Sequence, residues 1–469
     1  MTDDDRPGED DFAEMLRRML GGDGAIDPEQ LRRMGGMDVD PAMLQNVMRH
    51  LQGAFAGGGT DGIDWAAART QALHLANKDA HAISDGSRHD LDQAFALADL
   101  WLGEATAIAE LPTRPLVLTR GQWVEKTLPV WQELAEPVAT SITDALMAAL
   151  ESQTPEEMRG MVAGAGRLLR QLGGSMFAAQ FGAVVGRLSL EVVSGGDVGI
   201  PLLPDGEAAI LPQNFADFGR DLEIEDDQLA LWIATRELAH ARLFRHARWL
   251  RLHVITQITE FARGVHVDME ALEDLASRFD PSSPEELRAA LESGALLPQR
   301  TEAQTAALTR LENLLATIEG WVDVVGADAT TRLPAAARIA EAVRRRRAVG
   351  GPAEQAMASL VGLELRPRRL REAAAMWRAI TDAVGAEARD GLWDYPDLMP
   401  TAEDIDDPSA LIARLTARAR GEEPERDAFD DALEDLLNSE AGTDDGASAD
   451  EAPGDDTPGD DDPAGPRPV

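Results

Sequence analysis

"RELAHARLFRH", residues 236–246, is the stretch that decides the fold. It differs by one letter from His-Glu-x-x-His. In that pattern two imidazoles one turn apart on a helix hold zinc, and the glutamate activates a metal-bound water. Here the first position is Arg236, whose guanidinium stays protonated and cannot ligate. Three readings follow: a damaged metal site, a site of another kind, or a core helix with charge in it. All three require a helix.

Placed on a wheel at about 100° per residue, the helix spanning Asp227–His246 gathers eight side chains into one arc. In order they are Trp232, Leu243, Arg236, Leu229, His240, Ile233, Phe244 and Glu237. Three ionisable groups thus share a face with five large apolar ones. Buried charge is expensive unless paired or bound to an ion, so this face predicts a satisfied polar network or a site. His246 follows His240 by six residues, the offset of a third zinc ligand in proteins that place a glycine between them to turn the chain off the helix. Leu243 holds that glycine position. His253, Gln257 and Glu260 line up as a solvated stripe on the next helix. Further on, "LENLLATIEGWVD" sets Glu319 within an apolar stripe of Leu311, Leu314, Leu315, Ile318 and Val322. That carboxylate needs a partner, and Arg236, His240 or a metal held by them would serve.

Composition narrows the classes. The 469 residues carry a formal net charge of -40, which argues against nucleic-acid phosphates and anionic membranes as partners. Cysteine is absent, which excludes disulfides, thiolate metal sites and cysteine nucleophiles. The N-terminus has no basic and apolar leader pattern, and no run is long and apolar enough for a membrane span. The expectation is a soluble, cytoplasmic protein. No GxxxxGK[ST] or GxSxG occurs, so phosphate-loop and serine-hydrolase readings have no support. Glu237-x-x-His240 also matches half of a di-iron carboxylate site, but no second copy is found.

Along the chain, residues 1–62 read as a mobile arm with short helical patches. Residues 63–420 read as one helical domain, with helices expected over Trp65–Asn77, His89–Ile108, Gly121–Glu151, Pro155–Val193, Asp227–His246, Leu250–Gly264, Glu302–Val325, Pro334–Val349 and Arg368–Val384. Residues 197–218, "DVGIPLLPDGEAAILPQNFADF", are rich in proline and glycine and are the place for a small hairpin. Residues 421–469 carry 18 acidic and 2 basic residues, a composition that cannot bury enough surface to order itself, so a disordered acidic tail is expected. Arg344–Arg378 concentrates nine arginines. It is read as a solvated face, with an anionic ligand or the acidic tail as alternative occupants.

"GGSMFAAQFG", "SGGDVGIPLLP", "IATRELAHARLF", "RRRRAVGGPAEQ" and "LELRPRRLREAAAMW" together resemble a family of high-GC bacteria, the zincin-like hydrolases or zinc-dependent metalloproteases. The resemblance runs from about Asp64 to Asp407. It implies a mainly α fold, a single large helical domain built around a zincin-like helix, and zinc as cofactor with a peptide or protein as substrate. Carried over, it implies Glu237 as catalytic base and His240, Glu319 and His246 as metal ligands. Members with an intact motif have a histidine where Arg236 stands, and a Glu-Gly-His stretch where this chain has Glu319-Gly320-Trp321. Both departures remove a ligand. The alternative is a non-catalytic, partner-binding helical scaffold in which Arg236 stands in for the metal among the same carboxylates.

Overall fold

The structure, a computed structural model, describes residues 63–152, 159–220, 222–263, 301–350 and 368–421, together with Gln355 and Ala358. The expected arm (1–62) and the tail beyond Gly421 lie outside the described residues. The chain divides into two compact units, residues 1–408 and 409–469.

In the first unit the elements run α1 (Trp65–Asn77), α2 (Asp85–Ala105), β1 (Leu116–Val117), α3 (Arg120–Ser152), α4 (Arg159–Glu191), β2 (Ala209–Ile210) and α5 (Pro212–Gly219). They continue with α6 (Asp226–His246), α7 (Arg248–Arg263), α8 (Glu302–Ala329), α9 (Ala336–Val349), α10 (Leu370–Asp390) and α11 (Ala402–Asp406). In the second unit, α12 spans Ser409–Ala419. Local signals explain several ends. Asp64 caps α1 by accepting from the Ala67 N–H at 2.9 Å, and Thr301 with Gln304 forms a reciprocal capping box at the start of α8. Asp226 and Asp227 open α6 while Arg245 and His246 close it, each sign facing the favourable end of the helix dipole.

The core is helix on helix. α1 lies on α4 through small residues: Ala68, Ala72 and Ala76 are fully buried, and a Cβ at Gly182 would sit 2.2 Å from the Ala68 carbonyl oxygen. α8 crosses α10 closely because Gly320 has no side chain; a Cβ there would fall 2.8 Å from Ala373. α6 packs against α2 and α8. From Leu229 to Phe244 every residue of α6 is buried except Arg236, whose side chain is 14 % exposed. A helix buried all round is a central strut.

No hairpin forms within residues 197–218. Ala209–Ile210 pairs in parallel with Leu116–Val117, register Leu116↔Ala209 and Val117↔Ile210. A single antiparallel bridge, Ser194↔Ile210, closes the base of the loop. The partner strand comes from 93 positions earlier, and periodicity within the loop carries no information about it. No described helix is long and apolar enough to cross a membrane.

Candidate active site

The face predicted on α6 is real, and it meets α8, α9 and the loop after α4. Glu319, 1 % exposed, lies between two arginines. Arg236 Nη2 donates to its Oε2 at 2.5 Å, and Arg347 Nη2 stands 3.0 Å from its Oε1. Burial works against the Glu319 charge, but Arg236, Arg347 and His240 outweigh it and hold the carboxylate at about 2. In return, burial disfavours the Arg236 charge and the Glu319 carboxylate more than restores it.

Glu237 points elsewhere. Its Oε2 accepts from the Gly196 N–H at 2.7 Å and its Oε1 from the Ala209 N–H at 2.8 Å. Burial pushes its pKa up to about 7, against those two amides and the Ser194 side chain. The carboxylate therefore staples both ends of the loop to α6. Glycine makes that approach possible: a Cβ at Gly196 would lie 2.5 Å from His240 Nδ1, and one at Gly195 2.7 Å from Glu237 Oε1. Gly199 adopts φ +86° where a Cβ would meet Arg347 and Glu319 at 2.7 and 2.8 Å.

His240 is buried against Phe244, ring centroids 4.8 Å apart, and makes a hydrogen bond with the Gly199 backbone. Its Nε2 is buried without a partner among the described residues. Burial, with Arg236 and Arg347 nearby, lowers its pKa to about 4, so the ring is neutral at pH 7. Asp197 completes the cluster. Burial opposes its charge, while Arg346 at 2.9 Å, the Val193 N–H at 2.8 Å, Arg347 and Arg236 together bring its pKa below the ordinary value.

Sequence reasoning paired Arg236 with Glu319 as one option, and the structure brings Arg236, His240 and Glu319 together. His246 stands apart. α6 runs unbroken through it, so it lies about 240° around and 9 Å along the axis from His240. Its Nε2 pairs with Asp394 Oδ1 at 2.9 Å. His253 contacts Trp249. Gln257 and Glu260 bind Arg310 of α8 at 3.0 and 2.8 Å, so the expected solvated stripe is partly an interhelical contact. Arg347 was not singled out in the sequence. Its signal was the run Arg344–Arg347, of which three turn inward: Arg344 to Asp323, Arg346 to Asp197 and Arg347 to Glu319. For these three the solvated-face reading is corrected, because each has an acidic partner on a neighbouring element. Arg242 was also missed. It is 1 % exposed and bonds Asp99 of α2.

Zinc does not fit this arrangement. Among the described residues no three His, Asp or Glu side chains are grouped so that they could hold a metal ion. The first ligand position is a cation, and Glu319 already serves two guanidiniums. Trp321, at the downstream histidine position, faces the core and donates to Asp390 at 2.9 Å.

A match to the zincin-like metallopeptidase family spans residues 63–412. This chain belongs to that family. The zincin-like assignment covers α1 to α11, including α6, α8 and α9. Among solved structures the chain is similar to a protein of Chloroflexus aurantiacus described as a candidate hydrolase with a novel fold. The identity is 20 %, the TM-score 0.52, and the match covers 75 % of this chain and 98 % of that one. At that identity the likeness is one of fold. No curated protein matches the chain. Zincin-like proteins are thus the frame in which Arg236 has to be understood.

Proposed function

We propose that this chain is a non-catalytic member of the zincin-like family, a helical scaffold in which guanidinium charge replaces the metal. The observation that carries this is the Glu319 carboxylate held by both Arg236 and Arg347. A dication placed beside them would be repelled by two fixed positive charges at a few ångströms. Glu237, the residue a hydrolase needs as base, spends both oxygens on backbone amides and acts as a loop staple.

The test is the metal content of tag-free protein, by elemental analysis, for the wild type and His240→Ala, before and after zinc is supplied. The scaffold reading expects no stoichiometric zinc in either. About one zinc per chain, lost with His240→Ala, overturns it. A second reading, a zinc-dependent hydrolase, is favoured by one observation: His240 Nε2 is buried and has no partner among the described residues. It would require Arg236 to leave Glu319. Cleavage in a peptide library by zinc-supplied protein, abolished by Glu237→Gln with the fold intact, would establish it.

A further inference from the structure

Helices α2 and α6 and residues 111–115 border a cavity of about 430 Å³, within the range of about 300–1,000 Å³ in which small ligands bind. It lies behind the site described above. Its α6 residue is Leu238, about 200° around the helix from both Arg236 and His240. Phe95, Leu111 and Pro115 continue the apolar lining. The segment that forms the outer wall is held at both ends. On one side Thr106 Oγ1 and the Ala107 N–H donate to Asp390 at 2.6 and 2.8 Å. On the other, the Leu116 and Leu118 N–H groups donate to the Ala208 and Ile210 carbonyls at 2.8 and 3.0 Å. The cavity is therefore built into the fold. Three charged side chains line it. Asp99 is already engaged by Arg242, which is 1 % exposed and donates to its carboxylate and to its carbonyl oxygen. Asp92, on the α2 wall, and Arg114, on the outer wall, are exposed. Neither has an ion pair or a side-chain hydrogen bond among the described residues.

An apolar cavity with a few charged groups favours an occupant that buries carbon and pairs each charge. Asp92 and Arg114 call for opposite signs, and they call from different walls. A simple cation would leave Arg114 unmatched, and a simple anion would leave Asp92 unmatched. We propose that the cavity binds a small zwitterion whose ammonium and carboxylate sit at opposite ends of an apolar body. Asp92 takes the ammonium. Arg114 takes the carboxylate, whose two oxygens suit the guanidinium fork. The body lies over Phe95 and Leu238. A single ω-amino acid and a short apolar peptide share this chemistry. Because α6 stands between the cavity and the Arg236–Glu319 pair, the inference holds under either reading of that pair.

The experiment is isothermal titration of the full chain with four probes of similar apolar bulk. Two are zwitterions, 6-aminohexanoate and leucyl-leucine; hexylamine carries only the positive end and hexanoate only the negative. The expected result is saturable binding of 6-aminohexanoate, of leucyl-leucine, or of both, with hexylamine and hexanoate at least ten-fold weaker. Binding of 6-aminohexanoate alone identifies the source as a single ω-amino acid, and binding of leucyl-leucine alone identifies a peptide. Asp92→Asn and Arg114→Gln change exposed side chains, so the Tm of the free protein should stay as in the wild type while affinity falls at least five-fold in each. Ala96→Leu fills the cavity without altering its charge and should weaken binding as much. Failure of both zwitterions to bind, equal binding of a singly charged probe, or unchanged affinity in any of the three variants overturns the site.

Discussion

Arg236 and Glu319, 83 positions apart, meet at 2.5 Å through Nη2 and Oε2, one from each of two buried helices. The contact crosses the centre of the fold, so its charge balance is a stability matter as well as a functional one. Because Arg347 holds the other oxygen, the carboxylate is the keystone and each arginine a flank.

Glu319→Gln removes the charge that both arginines contact directly. Breaking a buried pair leaves uncompensated charge and costs about 3–5 kcal/mol. Arg347→Met should cost less, because Arg236 still satisfies Glu319. Urea unfolding of the two variants and the wild type checks the order; Glu319→Gln as stable as Arg347→Met would contradict it.

Arg236→His should supply the missing imidazole one turn before His240, with Glu319 released from one cation. The expected outcome is zinc uptake where the wild type takes none, read by elemental analysis and by a zinc-dependent rise in Tm. Arg347 still competes for Glu319, so adding Arg347→Met should strengthen the uptake.

Glu237 titrates near 7 when folded, raised from 4.5. A carboxyl with a raised folded pKa binds extra protons in the native state, so its contribution to stability falls as pH rises between those values. His240, lowered from 6.5 to about 4, acts in the opposite direction, gaining stability as pH rises through its window. Comparing wild type with Glu237→Gln isolates the first effect. The stability difference, wild type minus variant, should fall by on the order of 3 kcal/mol from pH 4.5 to pH 8, at about 1.4 kcal/mol per pKa unit. Unfolding at four pH values measures it, and a flat difference would refute the assignment.

Gly196→Ala should push the loop off α6, since its Cβ would fall 2.5 Å from His240 Nδ1. A loss of about 1–3 kcal/mol is expected from such overpacking. Gly103→Ala is the control. It lies in α2 with nothing within 4 Å of its Cβ and should stabilise by up to about 1 kcal/mol, or be neutral this near the helix end. Paired thermal melts suffice.

Much of the helical body was legible. α1 begins and ends where its periodicity predicts, and the arc drawn around Arg236 and His240 is the side of α6 that meets Glu319 of α8. Periodicity reports which side of a helix is apolar, and that is local information. It does not say what arrives from elsewhere to meet that side. Hence Glu319 was picked out as needing a cation, while the second cation, Arg347, was hidden inside an arginine run that reads as solvated. The family resemblance implies a base at Glu237; its actual partners are backbone amides of a loop, which have no side-chain signature. The pairing of Leu116–Val117 with Ala209–Ile210 was invisible for the same reason, as was the bond between Arg242 and Asp99.

Trp321 sets a limit on repair. Its indole is fully buried, stands edge-on to Trp393 at 6.5 Å and gives its proton to Asp390, which also serves Thr106, the Ala107 amide and Arg389. Exchanging it for histidine would empty a large volume and deprive that carboxylate of a donor. The full ligand set of the intact motif therefore cannot be spelled back into this chain by changing two letters: one position can be rewritten in place, while the other has become a beam in the wall behind it.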